Sequence, residues 1–371
     1  MTDINLASGA SYFRSPAPAI RTAIQALEAG ATGHGTAEGI PELRAALVER
    51  YRQEAIDITP EQVLITPGSK QALFYLFTVL LQQDSNEVVV PTPAWFGFQE
   101  LMGYCKGKMI QLPTTAASDF SLPTSALRQV LNENTRILLL TNPGNPTGRV
   151  YSKQELEELL EVTKEYPNLY VISDEIYDFV TYDGPFTSVL ACEGDKERVV
   201  VVNGFSKSFA MSDWRLGYLV GPQELVKRCT AFQAATIAGV SKFLQKGAIA
   251  AIQERDQVLP SMLEVLQENR TLMASGLKEI PHLPFFVPQG AYYFFPDFSH
   301  YLPCSTPTSH ILNSSIELCA YLTEIYKLQL SPGDFFGLPG HARMSFAVER
   351  EVLAEALSRL KEALAGLIQS E

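Results

Sequence analysis

Residues 137–148 read ILLLTNPGNPTG, and residues 199–208 read VVVVNGFSKS. In each, a run that is apolar throughout stops at Asn, Pro and Gly, residues that turn the chain and cannot continue a central strand. Apolar runs without alternation suit strands covered on both faces. The same pattern recurs in VLIT at 63–66 before PGSK, VVVP at 88–91 before TPAW, LYVIS at 169–173 before DEIY, and LGYLVG at 216–221. Helical patterns lie between these runs. One is marked by Ser152 with Glu155 three residues later, a capping box ahead of Leu156, Leu159 and Leu160. Alternation of this kind predicts an α/β fold whose mostly parallel central sheet is flanked by helices.

Toward the N-terminus, Ile20, Ala23, Ile24 and Leu27 keep helical spacing between Pro18 and Gly30. A second helix starts near Pro41, with Leu43, Leu47 and Tyr51 on its inner stripe. Beyond residue 255 the pattern changes. A helical stretch, SMLEVLQENRTLMASGLKEI, precedes the strand candidates FFVP, AYYFFPDF, LQLSPG and ARMSFAV, and EVLAEALSRLKEALAGL reads as a terminal helix. The expected organisation is a large α/β domain over residues 41–260 and a smaller α+β domain formed by 1–40 and 261–371. There is no internal repeat.

The chain has 371 residues, 46% hydrophobic and 19% charged, which places it among soluble globular proteins large enough for two sizeable cores. Its 29 basic and 41 acidic residues leave a net charge of −12, with no basic run to track a phosphate backbone, so nucleic acid is not an expected partner. The five cysteines are scattered, with no paired CxxC spacing. This argues for a reducing cytoplasm and against a cysteine-based zinc site, and no metal is expected. The N-terminal MTDINLASGASYFRSP lacks a basic region followed by an apolar one, and nowhere do about 18 apolar residues run together, so neither a signal peptide nor a membrane span is expected.

Ligands of open α/β sheets gather beyond the carboxyl ends of the strands, so the residues just after each run carry the chemistry. Gly68 and Ser69 before the apolar helix QALFYLF offer free N–H groups, a hydroxyl and a positive helix end to a phosphate. The competing reading is a plain helix cap. The spacing is not GxxxxGK, which disfavours a nucleotide P-loop. Asp174 closes a buried strand, where a carboxylate is costly without a cation beside it. Lys207 lies in a weakly charged stretch and is the candidate nucleophile.

In order and spacing, GIPELRAAL at 39–47, TPGSKQALF at 66–74, NPGNPTG at 142–148, SDEIY at 173–177, SFAMSDWRLGY at 208–218 and RMSFA at 343–347 form one constellation. With it, the chain resembles the class I/II aminotransferases, fold type I pyridoxal-phosphate enzymes of the aspartate aminotransferase-like kind, over nearly its whole length. The resemblance implies pyridoxal 5′-phosphate as cofactor and a reaction that moves the amino group of an L-amino acid to a 2-oxo acid, by a ping-pong route through pyridoxamine phosphate. Lys207 would be the Schiff-base lysine and proton shuttle, and Asp174 the partner of the pyridine nitrogen. Asn145 and Tyr177 would hydrogen-bond the ring O3′. The phosphate would lie on Gly68, Ser69, the backbone of Lys70, Ser206 and Arg215, with Trp95 stacked on the ring. Arg343 would take the substrate α-carboxylate, with Asn145 and Trp95 beside the substrate and Gly9 near it.

Two positions depart from the pattern. Gly204 stands where the family usually has a phosphate-binding Ser or Thr, and His34 stands where it has a Tyr that reaches the cofactor of a neighbouring subunit. The family also implies a homodimer. The same fold hosts lyases, cyclases and oxidases acting on amino acids, and non-catalytic ligand-sensing modules; the missing DNA-binding helix pair and the acidic charge speak against the last. Tyr12, Phe13, Phe96 and Tyr292 are the candidate side-chain pocket, an aromatic set that leans toward hydrophobic or aromatic substrates. No second arginine is assignable from sequence to a side-chain carboxylate, which neither supports nor excludes an acidic amino acid.

Overall fold

The computed structural model describes residues 2–81 and 86–369. Its centre is a seven-stranded sheet of β1 (Val63–Thr66), β2 (Glu87–Thr92), β3 (Lys108–Pro113), β4 (Thr135–Thr141), β5 (Tyr170–Asp174), β6 (Val199–Gly204) and β7 (Gly217–Val220). They stand in the order β1-β7-β6-β5-β4-β2-β3. From β3 to β6 every pairing is parallel; β7 alone runs against its neighbours β6 and β1. The unbroken apolar runs have the expected cause. On β4, Ile137 and Leu139 pack under helix Ser69–Leu80, while Leu138 and Leu140 face the opposite layer with Leu156 and Leu159. Helix Lys153–Thr163 begins with the capping box read from the sequence: the Glu155 N–H donates to Ser152 Oγ at 3.2 Å, and the Ser152 N–H donates to Glu155 Oε2 at 2.9 Å.

The other elements depart in part from expectation. Strand β3 was not anticipated, because at this sheet edge Lys108 and Gln111 face outward and interrupt the apolar run. Leu43, Leu47 and Tyr51 are buried on helix Pro41–Gln53 as read. Helix Ala17–Glu28, however, packs on Lys242–Gln253 through its small residues Ala19 and Ala23, and leaves Ile20, Ile24 and Leu27 39%, 52% and 47% exposed. The long helix starts earlier than expected, at Arg255, and runs through Pro260 to Lys278. FFVP is not a strand. The LQLSPG run splits in two: Leu328–Gln329 pairs with Ile4–Asn5, and Ser331–Pro332 joins a small antiparallel sheet with Ala342–Ser345 and Tyr293–Phe294. The N-terminal segment is thereby fastened to the C-terminal part, with the Ser345 N–H donating to Leu6 O at 2.8 Å and the Tyr12 N–H to Ala347 O at 3.1 Å. Among the described residues, no helix is long and apolar enough to cross a membrane.

Candidate active site

The carboxyl ends of β4, β5 and β6 open into a cavity of about 550 Å³. Thr141 closes β4 beside Asp174, its register partner at the end of β5. Three residues beyond the end of β6, Lys207 enters the cavity, and the N-terminal segment crosses in front of it. Lys207 Nζ donates to Gly9 O at 2.5 Å, and that carbonyl also accepts from the Tyr292 and Tyr293 hydroxyls at 2.9 and 3.4 Å. The Tyr177 and Tyr293 hydroxyls lie 2.7 Å apart, and burial pushes Tyr177 well above the usual phenol range.

Behind Lys207 is a buried charge network. Asp178 pairs with Arg50 and also accepts from Asn203 Nδ2 at 2.8 Å and Ser208 Oγ at 2.9 Å. A buried carboxylate with all these donors is satisfied, and it ties the end of β6 and the residue after Lys207 to one point.

One wall is built for an anion. Gly68, at φ 88°, precedes helix Ser69–Leu80, whose first N–H groups have no acceptor within the helix. The Arg215 guanidinium lies so close that a Cβ on Gly68 would fall 2.3 Å from Arg215 Nη2. The hydroxyl-bearing Ser69, Ser206 and Ser212 border the same wall. Lys70 turns its ammonium 4.9 Å over the Trp95 ring.

The floor is Asp174, buried, with the Ile176 N–H at 3.4 Å as a weak donor. Burial pushes its carboxyl up to about 7, against the pull of that N–H and of Lys207. Its neighbour Glu175, fully buried, is pushed up to about 8 by desolvation, and its Oε2 has no hydrogen-bond partner. In the unfolded chain Asp174 loses its proton near its ordinary value of about 3.9, so the folded state holds more protons across the window from about 4 to 7. The Asp174 contribution to stability therefore falls as pH rises through that window and levels off above it. Asp174→Asn is expected to flatten the fall, leaving the part due to Glu175. Urea unfolding of the cofactor-free protein at about pH 5 and about pH 7.5 reads this directly; a slope equal to that of the wild type would contradict it.

The far wall carries Arg343, on the strand Ala342–Ser345 and 4% exposed. Its Nη1 donates to Asn145 Oδ1 at 3.0 Å and its Nη2 to Ala7 O at 2.6 Å; Nε has no partner. Its guanidinium lies 4.4 Å over Tyr293 and 4.9 Å over Phe336. A buried cation with an idle donor, opposite an amine, suits a carboxylate bound between them.

Residues 2–360 match the aminotransferase class I and II family. The chain belongs to this family and is an aminotransferase. An aspartate aminotransferase of Pinus pinaster is 34% identical over 97% of this chain and 74% of its own length. Among solved structures, the aspartate aminotransferase of Rhizobium meliloti superposes with a TM-score of 0.94 at 32% identity, covering 99% of this chain and 92% of that one. The aromatic aminotransferase of Pyrococcus horikoshii superposes with 0.91 at 31%, covering 98% and 96%.

Of the positions expected in the aminotransferase site, Ser69, Lys70, Trp95, Asn145, Asp174, Tyr177, Ser206, Lys207, Arg215 and Arg343 border this one cavity, with Gly68 behind Arg215. His34 does not. It is exposed, beside a separate depression that includes Lys242. Of the four aromatic candidates only Phe96 borders the cavity. Phe13 lines a different one with Arg14, Tyr12 is 43% exposed, and Tyr292 is buried, reaching Gly9 O through its hydroxyl. Gly204 has a steric reason, since a Cβ there would meet Gly217 Cα at 2.9 Å and Leu216 O at 3.0 Å on the neighbouring strand. Ser212 and Tyr293 are among the cavity residues that were not anticipated. Ser212 lies in a short 3-10 turn and its hydroxyl donates to Ser206 O at 3.0 Å, and Tyr293, far from Arg343 in the sequence, is brought beside it by the pairing of their strands.

Proposed function

We propose that this cavity binds pyridoxal 5′-phosphate and transfers the amino group of an L-amino acid to a 2-oxo acid in two half-reactions of a ping-pong cycle. The observation that carries the reading is the convergence, on one cavity, of the Lys207 amine, a buried carboxyl lacking a cation at Asp174, and an anion cradle at Gly68, Ser69 and Arg215. These residues fit a flat ring with a basic nitrogen at one end and a phosphate at the other. When bound, the cofactor supplies an aldehyde and a ring that draws electrons from the substrate Cα.

Asp174 favours a protonated ring nitrogen, because that cation makes its own ionisation affordable in a buried setting. Arg215, Ser69, Ser206 and the helix end hold the phosphate. Asn145 and Tyr177 would hydrogen-bond the ring hydroxyl, and Trp95 would stack on the ring. Arg343 takes the substrate α-carboxylate and so turns the Cα–H toward Lys207, whose amine accepts and returns that proton. Borohydride reduction of the cofactor-loaded protein is expected to fix a pyridoxyl group on the peptide carrying Lys207. Label on another lysine, or no label, would contradict the assignment.

A homodimer belongs to the same proposal. Supporting it are the exposed Ile20, Ile24 and Leu27 stripe and the exposed His34, an imidazole that could donate to a phosphate only across a subunit boundary. A cytoplasmic setting is supported by five unpaired cysteines. The division into residues 41–260, and 1–40 with 261–371, is supported by the change from parallel sheet to small antiparallel pairings; helix Ala17–Glu28 nonetheless rests on Lys242–Gln253 of the larger part.

A further inference from the structure

The Tyr293 hydroxyl has none of the roles assigned above, yet it stands among the groups that carry them. It lies 2.7 Å from the Tyr177 hydroxyl and 3.4 Å from Gly9 O, the carbonyl that also accepts from Lys207 and Tyr292. The Arg343 guanidinium is 4.4 Å over its ring, and the Tyr292 ring is 4.9 Å away. Among the described residues, Tyr177, Lys207, Tyr292 and Arg343 are the titratable and charged side chains that face it. The backbone sets its place, since Tyr293 pairs with Ser345 on the strand that carries Arg343. Tyr177, Tyr292 and Tyr293 are 2%, 1% and 0% exposed within the single chain, so their arrangement does not depend on what a second subunit adds at the mouth of the cavity.

A phenol has one proton to give. Burial holds Tyr177 well above the usual phenol range, so at neutral pH it keeps that proton. On the reading above, on which this inference rests, Tyr177 gives it to the ring hydroxyl oxygen of the cofactor. The 2.7 Å contact must then be filled by the proton of Tyr293, donated to the Tyr177 oxygen. Gly9 O is the poorer acceptor for it, being farther off and already holding two donors.

We propose that Tyr293 is a positioning residue of this site, whose hydroxyl donates to Tyr177, aims the Tyr177 proton at the ring oxygen and strengthens that bond. Hydrogen bonds in a chain polarise one another, by roughly 10–30% per bond. A donor to the ring oxygen stabilises its negative charge, and the proton shared between that oxygen and the Lys207 nitrogen is then lost more easily. Without the Tyr293 hydroxyl, that proton should leave at a higher pH.

An absorbance titration of the assembled protein loaded with pyridoxal 5′-phosphate, with no substrate present, tests this. Tyr293→Phe deletes the hydroxyl alone and keeps the ring under Arg343. Its midpoint is expected to lie above that of the wild type by roughly half a pH unit. Tyr177→Phe, which loses the whole bond, should move the midpoint up by about one to two units. In the double variant Tyr293→Phe should add nothing to the Tyr177→Phe shift, because it acts through that hydroxyl; a role in packing alone would not vanish in this way. An unmoved midpoint in Tyr293→Phe, or the same shift with and without the Tyr177 hydroxyl, would overturn the inference, while the shift in Tyr177→Phe upholds the reading of the site. No shift in Tyr177→Phe would take Tyr177 off the ring oxygen and the inference with it. A wild-type protein that takes up no pyridoxal 5′-phosphate would sink the cofactor reading, and this inference would fall with it.

Discussion

With Lys207 replaced by alanine, amino transfer is expected to fall by about 10⁴-fold or more while the protein remains folded. Proton transfer by a positioned side chain contributes about 10²- to 10⁴-fold, and here the same amine is also the nucleophile. Neither task has a substitute in the cavity. Lys70 is the other lysine that borders it, and its ammonium is drawn over Trp95. The fold should tolerate the change. Gly9 O, which accepts from Lys207, keeps the hydroxyls of Tyr292 and Tyr293 as donors, and Ser208 stays fastened to Asp178. Urea unfolding beside the kinetics separates the two effects. Turnover within about tenfold of the wild type would move the proton shuttle to another residue.

Replacing Arg343 by alanine is expected to lower kcat/KM for every α-amino acid by about 10²- to 10⁴-fold, with cofactor binding nearly unchanged. Two hydrogen bonds between charged groups are worth about 1.5–3 kcal/mol each, and about 1.36 kcal/mol corresponds to tenfold in rate. Arg343 touches Asn145 and Ala7, not the anion cradle, so phosphate affinity should survive. Because the guanidinium also holds those two neighbours, Arg343→Lys is the useful companion. It keeps the charge and loses the fork, and should recover only part of the loss. Release of the cofactor from the Arg343→Ala protein would show that Arg343 serves the phosphate end.

Much of this was legible in the sequence because burial on both faces leaves a simple signature. The runs at 63–66, 137–141 and 199–202 became β1, β4 and β6 with little change of boundary. The residues immediately after them formed the cavity, since a parallel sheet delivers all its carboxyl ends to one side. Where packing across distant segments decided the outcome, the sequence was silent. Edge strand β3 has no apolar run to announce it, and the outward stripe of Ile20, Ile24 and Leu27 is indistinguishable from an inward one until Ala19 and Ala23 are seen against Lys242–Gln253. Gly204 read as a lost hydroxyl, yet the neighbouring Gly217 leaves no room for a side chain there. Tyr292 looked like a pocket residue, but it is a buried prop for the Gly9 carbonyl.

The most direct test is an absorbance spectrum of the purified, cofactor-loaded protein, taken with a panel of L-amino acids in the absence of any oxo acid. Conversion of the bound cofactor to its amino form, reversed on adding a 2-oxo acid, is the expected result. A cofactor spectrum that no amino acid changes, or a change that no 2-oxo acid reverses, would contradict amino transfer at this site.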